Sequence, residues 1–555
     1  MGDLHETTVD GVRCFWVETG RPTLAARLMF RYGMADEPVT EAGWGHLLEH
    51  LSLEAVGEHG GLDRNGQIGL LETSFDAHGE PAAVSAHLRD LTTWLAAPAL
   101  DRLAHEQGIL RAEADVRGGA AAGRALGWRY GAAGPGMAAY AEPGLGRATA
   151  EALTRRAAEV FTRGNAVLVL DGPPPADLTL ALGPGSLRPL PAADPCETPP
   201  AAYEEPSGLI LSGTVRRDST MFLGTDLLER ALTERLRHGE GGAYAPWATY
   251  ERVDRETALV VAGSDVRPEL RPEVVRIARD VLDGLVDDGP DDAWTSEAVA
   301  KHLRVMQDPY ALVGFAVNAG MRFLHQHAQE DRDEALARYR SVTGDSLREA
   351  FGELRDSLLV GAPAEALTDS DLRVLAFPGS EPSDAGTAYR HVNWPAVRDR
   401  VQISDRGVEV AEVTLIRAVQ YDDLAAMFTY ADGVRHLLRR DGYGITVDPS
   451  CWTRGDDAVA QLDRRVDEQL HLPHPAIEHR VTLTRASAWR RWWHFLRWEA
   501  RSQGSVIILG SLLAVGFILL SITLLGSPGA GIAGVVAMVW GHISSRRKEQ
   551  RAESG

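Results

Sequence analysis

The sequence predicts an α+β fold of two similar mixed-sheet and helix units, followed by a small β-rich module and a transmembrane hairpin. One order of strand and helix patterns occurs over residues 1–175 and again over residues 207–380. A proline-rich segment, 176–206, separates the two units, as expected for a linker. From residue 381 the pattern changes to short alternating runs with Asp-Gly turns, which are typical of strands.

Composition limits the classes of partner. The 555 residues include 78 acidic and 57 basic side chains, and the net charge of −21 argues against a nucleic-acid partner, which needs a cationic face. The three cysteines, Cys14, Cys196 and Cys451, are too far apart to indicate a disulfide framework. Residues 1–6 show no secretory signal, so we expect the folded part to face the cytoplasm.

In the first unit, Val12–Val17 and Leu24–Tyr32 have the apolar pattern of strands. The remaining predicted elements of this unit are a helix beginning at Gly43, a strand at 70–75, helices at 84–95 and 99–116, and a strand at Ala166–Leu170.

The second unit repeats this order. Its predicted elements are a strand at Leu209–Thr214, a helix at Ser219–Arg237, strands at Ala248–Tyr250 and Ala258–Ala262, helices at 274–285, 292–307 and 333–357, and a strand at Arg373–Phe377. The repetition indicates a diverged internal duplication of about 180 residues per copy.

The module at 381–480 has strand patterns at Val401–Ser404, Val408–Val410, Val413–Ile416 and Gly444–Val447, and a helix pattern at Asp456–Leu470. This order faintly resembles a pleckstrin-homology-like barrel.

The C-terminal segment, 481–555, contains two uncharged apolar runs, 505–525 and 530–543. The first is long enough to cross a bilayer, and positive residues flank both ends, which places both ends in the cytoplasm. We therefore expect a cell-membrane anchor, as a two-span hairpin or a re-entrant segment, with the preceding units facing the cytoplasm. A buried helical hairpin of a soluble domain is the alternative.

The segment His46-Leu-Leu-Glu49-His50 carries the chemistry. On a helix, His46 and His50 share one face and can hold one Zn²⁺, while Glu49 can take a proton from a water molecule. This is the inverted zinc-peptidase order H-x-x-E-H. Two solvated histidines on a surface helix are the alternative interpretation. A zinc site also needs a third protein ligand, and a carboxylate from residues 83–113 is the expected type.

Four segments resemble the M16 family, which includes insulinase, pitrilysin and the mitochondrial processing peptidase. They are the opening strands and zinc helix (10–13, 31–38 and 43–50), Asn65-Gly66 with Thr73-Ser-Phe75, Glu106-Gln-Gly-Ile-Leu-Arg-Ala-Glu113, and Leu236-Arg-His-Gly-Glu-Gly-Gly-Ala-Tyr244. The resemblance covers roughly residues 8–378. The interval between His50 and Glu113 is shorter than is usual in the family, and Gly66 and Phe75 replace the usual Ala and Tyr.

The resemblance implies two homologous M16-type domains and a role for each matching residue. The implied Zn²⁺ ligands are His46, His50 and Glu113, the implied catalytic carboxylates are Glu49 as general base and Glu106 in support of the site, and the implied substrate-binding residues are Asn65, Arg237 and Tyr244.

The predicted function is therefore that of a membrane-tethered zinc endopeptidase acting on peptides or unfolded segments. In the family two such halves close the cleft, so a second half is expected, as a homodimer or heterodimer. One alternative is a catalytically silent scaffold or partner subunit that presents peptides to an active paralogue. Another is a membrane sensor whose working part is the C-terminal module and hairpin.

Overall fold

The computed structural model describes most of the chain before residue 478. The described residues are 4–57, 60–117, 120–206, 208–239, 241, 245–308, 311–368, 370–380, 385–413, 415–477, 486–491 and 494. Tyr244 and the apolar runs 505–525 and 530–543 lie outside them. Within the described part, no helix combines the length and apolar character that a bilayer span requires.

Two compact units divide the chain. The first contains residues 1–378, 419–446 and 463–476, and the second contains 379–418, 447–462 and the residues from 477 onward. The candidate site lies in the first unit.

The first sheet has six strands in the order β1-β2-β6-β3-β5-β4. Their bounds are β1 His5–Val9, β2 Val12–Trp16, β3 Leu24–Phe30, β4 Asp63–Ile68, β5 Thr73–Gly79 and β6 Ala166–Leu170. Five helices belong to this region: α1 Trp44–Val56, α2 Pro81–Ala96, α3 Leu103–Arg117, α4 Ala121–Tyr130 and α5 Ala150–Val160. Alternate residues of β3, such as Leu28 and Phe30, pack with Leu47, Leu88 and Leu153 of the helices in one buried core.

The second sheet also has six strands, in the order β12-β7-β11-β8-β10-β9. Their bounds are β7 Ala201–Glu204, β8 Leu209–Arg216, β9 Trp247–Arg252, β10 Thr257–Ser264, β11 Leu359–Ala362 and β12 Arg373–Val374. The helices here are α6 Ser219–Leu232, α7 Val274–Asp287, α8 Asp292–Gln307, α9 Leu312–Leu324, α10 Arg332–Arg340, α11 Gly344–Asp356 and α12 Ala364–Leu367.

The two sheets share one five-strand topology. The order β2-β6-β3-β5-β4 of the first sheet corresponds to β7-β11-β8-β10-β9 of the second. In each, the first pair is parallel and the other three pairs are antiparallel. Helix α1 lies between β3 and β4 in the chain as α6 lies between β8 and β9, so the two helices are topological equivalents. The α+β class predicted from the sequence is confirmed.

The segment 176–206 differs from the linker predicted for it. Ala201–Glu204 forms β7 and pairs in parallel with β11. Leu178, Leu180 and Leu182 are buried in the core of the first sheet. The prolines prevent regular structure over most of the segment, but its alternating leucines still find an apolar core.

Other elements also differ from the prediction. No element was predicted where β4 and α9 lie, and β4 falls in the Gly-rich stretch 57–69. The helix expected over 219–237 is α-helical only to Leu232 and continues as a π-helix over Thr233–Gly239. Met29 and Val167, on the face of the first sheet opposite to α1, pack against α9, which therefore covers that face.

Two four-stranded sheets follow residue 379. One has the order β13-β14-β15-β16, with bounds Thr387–Arg390, Arg400–Ile403, Gly407–Ala411 and Ile416–Gln420. The other has the order β19-β18-β17-β20, with β17 Leu424–Tyr430, β18 Arg435–Arg439, β19 Gly444–Val447 and β20 His471–His474. Helix α13 spans Gly455–Arg465, five residues shorter at its end than predicted. Strands β17, β18 and β20 fall in the first compact unit, so the single module predicted over 381–480 is divided.

Candidate metal centre

The helix that carries the two histidines has an anchored N-terminus. Gly43 is its N-cap at φ 96°, a conformation that favours glycine. The buried carboxylate of Glu37 accepts hydrogen bonds from the backbone N–H of Gly43 (2.8 Å) and of Gly45 (2.6 Å) and from the Tyr32 hydroxyl (2.8 Å). Burial raises the pKa of Glu37 to about 7, although these hydrogen bonds oppose the shift. Glu37 thus fixes the first turn of α1.

Three side chains offer donor atoms to one point. One atom each from His46, His50 and Glu113 lies within 4.8 Å of the other two. The two imidazole centroids are 4.7 Å apart, and Nε2 of His50 is 3.9 Å from Oε1 of Glu113 on α3. The structure therefore brings together the residues predicted as metal ligands, although His50 and Glu113 differ by 63 in residue number.

A second carboxylate lies behind each imidazole. Oε1 of Glu142 is 2.6 Å from Nδ1 of His46, and Oε2 of Glu106 is 3.5 Å from Nδ1 of His50. A carboxylate at Nδ1 orients the ring and leaves Nε2 for a metal. Glu106 was predicted to support the site. Glu142 was not identified from the sequence, because it lies 96 residues from His46 in a poorly patterned stretch.

Glu49 lies between the two histidines. Its Oε2 is 3.8 Å from Nε2 of His46 and 3.9 Å from Nε2 of His50, and the residue is 4% exposed. Strand β4 passes directly beside this carboxylate. A Cβ built on Gly66 would lie 2.0 Å from Oε1 of Glu49, so the absence of a side chain at residue 66 makes room for the carboxylate.

The charges of the cluster favour a divalent cation. Four carboxylates, those of Glu49, Glu106, Glu113 and Glu142, surround two imidazoles. Arg102 offsets part of this charge, with its guanidinium 3.6 Å from Glu106. Two imidazole nitrogens and one carboxylate oxygen are a donor set that zinc accepts in catalytic sites, so the residues present fit that metal.

Two of the three predicted substrate-binding residues, Asn65 and Arg237, are exposed, and the third is not among the described residues. Asn65 is exposed on β4, and its side chain alternates with Gly66, which places it on the face of the strand away from Glu49. Arg237 is exposed in the π-helix, and no hydrogen bond or ion pair within the described residues joins it to the cluster. Tyr244 lies outside the described residues.

Solved structures of an M16 peptidase domain and of two further proteases have the same fold. A peptidase M16 inactive domain from Pseudomonas fluorescens matches with a TM-score of 0.54 and 15% identity, over 65% of this chain and 98% of that chain. A protease from Helicobacter pylori matches with a TM-score of 0.54 and 12% identity, over 65% and 99%. The first half of the periplasmic protease PqqL from Escherichia coli matches with a TM-score of 0.51 and 12% identity, over 68% and 98%.

The chain therefore has the α+β fold of M16 peptidase domains. Entire PqqL matches with a TM-score of 0.50 and 14% identity over 79% of this chain but only 56% of its own length, so the chain corresponds to about one half of a two-half protein. No family model and no curated protein matches the sequence.

Proposed function

We propose that the chain is a zinc-dependent endopeptidase that hydrolyses peptides or unfolded segments. The observation that carries this proposal is the convergence of His46, His50 and Glu113 to within 4.8 Å beside the carboxylate of Glu49. Zinc held by these three residues would lower the pKa of a water molecule and polarise the peptide carbonyl.

The chain's own residues perform the proton transfers. Glu49 accepts the proton of the attacking water and donates it to the leaving amine. Its position next to Nε2 of both His46 and His50 keeps it within reach of that water. Glu142 and Glu106 orient the two imidazoles through Nδ1, so that a metal would be held through Nε2 of each.

The exposed edge of β4 provides a place for an extended peptide. Strand β4 is the last strand of its sheet, and an unpaired edge accepts a peptide by main-chain hydrogen bonds. Gly66 of β4 lies against Glu49, so a peptide paired with this edge passes the general base. Sequence-tolerant pairing of this kind suits substrates that are already unfolded. Asn65, Arg237 and Tyr244 are proposed to bind the substrate.

The complete cleft is proposed to need a second M16 half, as a homodimer or heterodimer, because PqqL carries two halves in one chain. The runs 505–525 and 530–543 are proposed to tether the enzyme to the cell membrane, with its catalytic domains on the cytoplasmic side.

A catalytically silent scaffold or partner subunit is the second candidate. The structure from Pseudomonas fluorescens that shares this fold is itself described as an inactive domain. A scaffold that only presents peptides has no chemical need for a metal cluster with a carboxylate beside it, whereas this chain has both. The two candidates differ in zinc content and in the consequence of neutralising Glu49.

The test is zinc content and peptide cleavage in the full chain, purified without chelator. We expect about one zinc per chain, lost in His46→Ala. Glu49→Gln should keep the zinc and lose cleavage by about 10²–10⁴-fold, because only the proton acceptor is removed. Glu151→Gln, which neutralises an exposed glutamate on α5, is the matched control and should change neither.

Zinc-free wild-type protein would exclude the peptidase and favour the scaffold. Loss of zinc in Glu49→Gln would show that Glu49 is a ligand instead of the proton acceptor. Membrane fractionation with and without residues 481–555 tests the tether.

A further inference from the structure

The second sheet has a cavity at the place that corresponds to the candidate metal site of the first, which is the cluster of His46, Glu49, His50 and Glu113 side chains. The cluster is formed by α1, β4 and α3, which pack on one another, and their topological equivalents are α6, β9 and α8. A cavity of about 630 Å³ lies at this second position, with further walls from α9 and α10. That volume is typical of sites for small organic ligands.

The floor of this cavity is cationic. Five arginines line it, against two carboxylates: Arg217, Arg252, Arg322, Arg332 and Arg338, with Asp218 and Glu330. Glu330 accepts two hydrogen bonds of 2.8 and 2.9 Å from Arg338 and also lies 3.5 Å from Arg322. Asp218 accepts two backbone N–H groups as the N-cap of α6. The excess positive charge occurs in a chain whose net charge is −21.

Two of the arginines donate hydrogen bonds to neutral groups. Arg217 donates to the Asp254 carbonyl and to the ring of His325, and Arg332 donates to the Met306 carbonyl. The carboxylate of Glu72 acts on Arg217 and Arg252 from outside the lining. Burial and the neighbouring Arg252 lower the pKa of Arg217 to about 10, so it remains charged near neutral pH.

One wall of the cavity is aromatic. Phe222 is 38% exposed and stands edge-on to Tyr250 and to His302, with ring centroids 5.7 and 5.5 Å away. His302 in turn lies 4.1 Å from the ring of Tyr339. A partly exposed aromatic face beside a group of guanidinium ions suits a ligand with a flat apolar body and an anionic head.

We propose that this cavity binds a small organic anion, whose carboxylate or phosphate meets Arg217, Arg252 and Arg332 and whose ring or acyl body packs on Phe222. The equivalent positions beside the two sheets would thus hold a metal in the first copy and an anion in the second. The site shares no residue with the metal cluster and is independent of the proposed peptidase activity.

The test is calorimetric titration of the full chain with 1-naphthyl phosphate, 1-naphthoate, inorganic phosphate and the neutral 1-naphthalenemethanol. We expect both naphthyl anions to bind and the neutral compound not to. Tighter binding of 1-naphthyl phosphate than of 1-naphthoate, or the reverse, would identify the head group of the ligand as phosphate or carboxylate. Arg252→Gln should weaken binding by about tenfold or more, because one charge-assisted hydrogen bond is lost.

Phe222→Ala should weaken the naphthyl anions while leaving inorganic phosphate unchanged. Arg276→Gln, which removes an exposed arginine from α7, is the matched control and should bind as wild type does. Glu49→Gln should also bind normally, which separates this site from the peptidase. Equal weakening in Arg276→Gln and Arg252→Gln, or no binding of either naphthyl anion at millimolar concentration, would overturn the proposal.

Discussion

The orientation of His46 depends on a glutamate that no local pattern reveals. Because Glu142 Oε1 lies 2.6 Å from Nδ1 of His46, its charge fixes the orientation of the ring and makes Nε2 a stronger ligand for a metal. We predict that Glu142→Gln raises the zinc dissociation constant by about 10–100-fold, measured by competition with a chromophoric chelator. Glu151→Gln is the control, and an unchanged affinity in Glu142→Gln would contradict the assignment.

Gly66 determines where the carboxylate of Glu49 can lie. In Gly66→Ala the new Cβ would lie 2.0 Å from Oε1 of Glu49, and the flexible carboxylate would move aside at little cost in stability. Because alanine is the usual residue here in the family that the sequence resembles, the displaced carboxylate should still accept the proton, and we predict unchanged zinc content and melting temperature with a kcat lowered by less than about tenfold. The comparison is Gly284→Ala, where nothing lies within 4 Å of the new methyl group. Wild-type kcat in Gly66→Ala would show that Glu49 acts equally well from another position.

The pH dependence of anion binding separates arginine from histidine. Burial, then Arg217 and Arg322, lower the pKa of His327 to about 4, and the pKa of His302 and of His325 is also lowered. The other charged groups around these rings are Arg252, Arg255, Arg338, Lys301, Asp218, Asp226, Glu72 and Glu330.

These histidines lose their protons below the neutral range, so they are uncharged at neutral pH and the arginines carry the charge. We predict that the affinity for 1-naphthalenesulfonate, which stays an anion throughout, is constant between about pH 6.5 and 8.5, because the arginines stay charged over this range. A steep loss of affinity between pH 6 and 7, measured by the same titration, would instead assign the binding to a histidine.

Some residues of the site can be predicted from the sequence and others cannot, and the difference has a physical reason. His46, Glu49 and His50 are indicated by their spacing on one turn and a half of α1, and the family resemblance favours them over two solvated histidines. Glu113 follows from the family resemblance, because its own helix shows no sign of a metal. Glu37 and Glu142 reach α1 from loops, and the contacts of a loop depend on tertiary structure that no periodicity records.

At the level of elements, a glycine flanks each end of α1, and the two glycines have different surroundings. Gly43 has φ 96°, and a Cβ there would lie 2.7 Å from Cβ of Glu142, whereas Gly57 has φ 68° and open space around it. We predict that Gly57→Ala costs about 1 kcal/mol of unfolding free energy, from backbone strain alone. Gly43→Ala should cost more and should also weaken zinc binding, because it displaces Glu142 from His46.

Denaturant unfolding and chelator competition on the two variants measure both effects. Equal losses of stability, together with unchanged zinc affinity in Gly43→Ala, would show that Glu142 can adapt to the added methyl group.

Elements with strong apolar periodicity were the predictable ones. Helices α2 and α7 begin or end within a few residues of the expected bounds, because each has a continuous buried stripe. Strand β4 was missed because its residues, Asp63–Ile68, alternate between exposed and half-buried and include a glycine. An edge strand that is partly exposed need not be apolar, so the same exposure that would let β4 pair with a peptide also hides it from sequence patterns.

At the level of the whole molecule, the shared strand order of the two sheets supports duplication better than the sequence does. Five strands and their pair directions are retained, yet the H-x-x-E-H pattern is present only in α1. Strand order is set by chain connectivity and sheet packing, which tolerate replacement of site residues. The difference between the acidic candidate metal site and the cationic cavity is therefore compatible with one ancestral unit.

The correspondence to half of PqqL leads to the last prediction, which concerns assembly. The side chains of His50 and Glu113 are 24% and 40% exposed in this half, and water must be excluded for the electrostatics of the site to act at full strength. We predict that the detergent-solubilised chain sediments at twice its 60.1-kDa mass, and that cleavage per chain falls on dilution while zinc per chain stays constant. If the chain is monomeric and inactive at every concentration but binds zinc, the second half is a different protein. A monomer that cleaves peptides at full rate at the lowest concentration would contradict the two-half cleft.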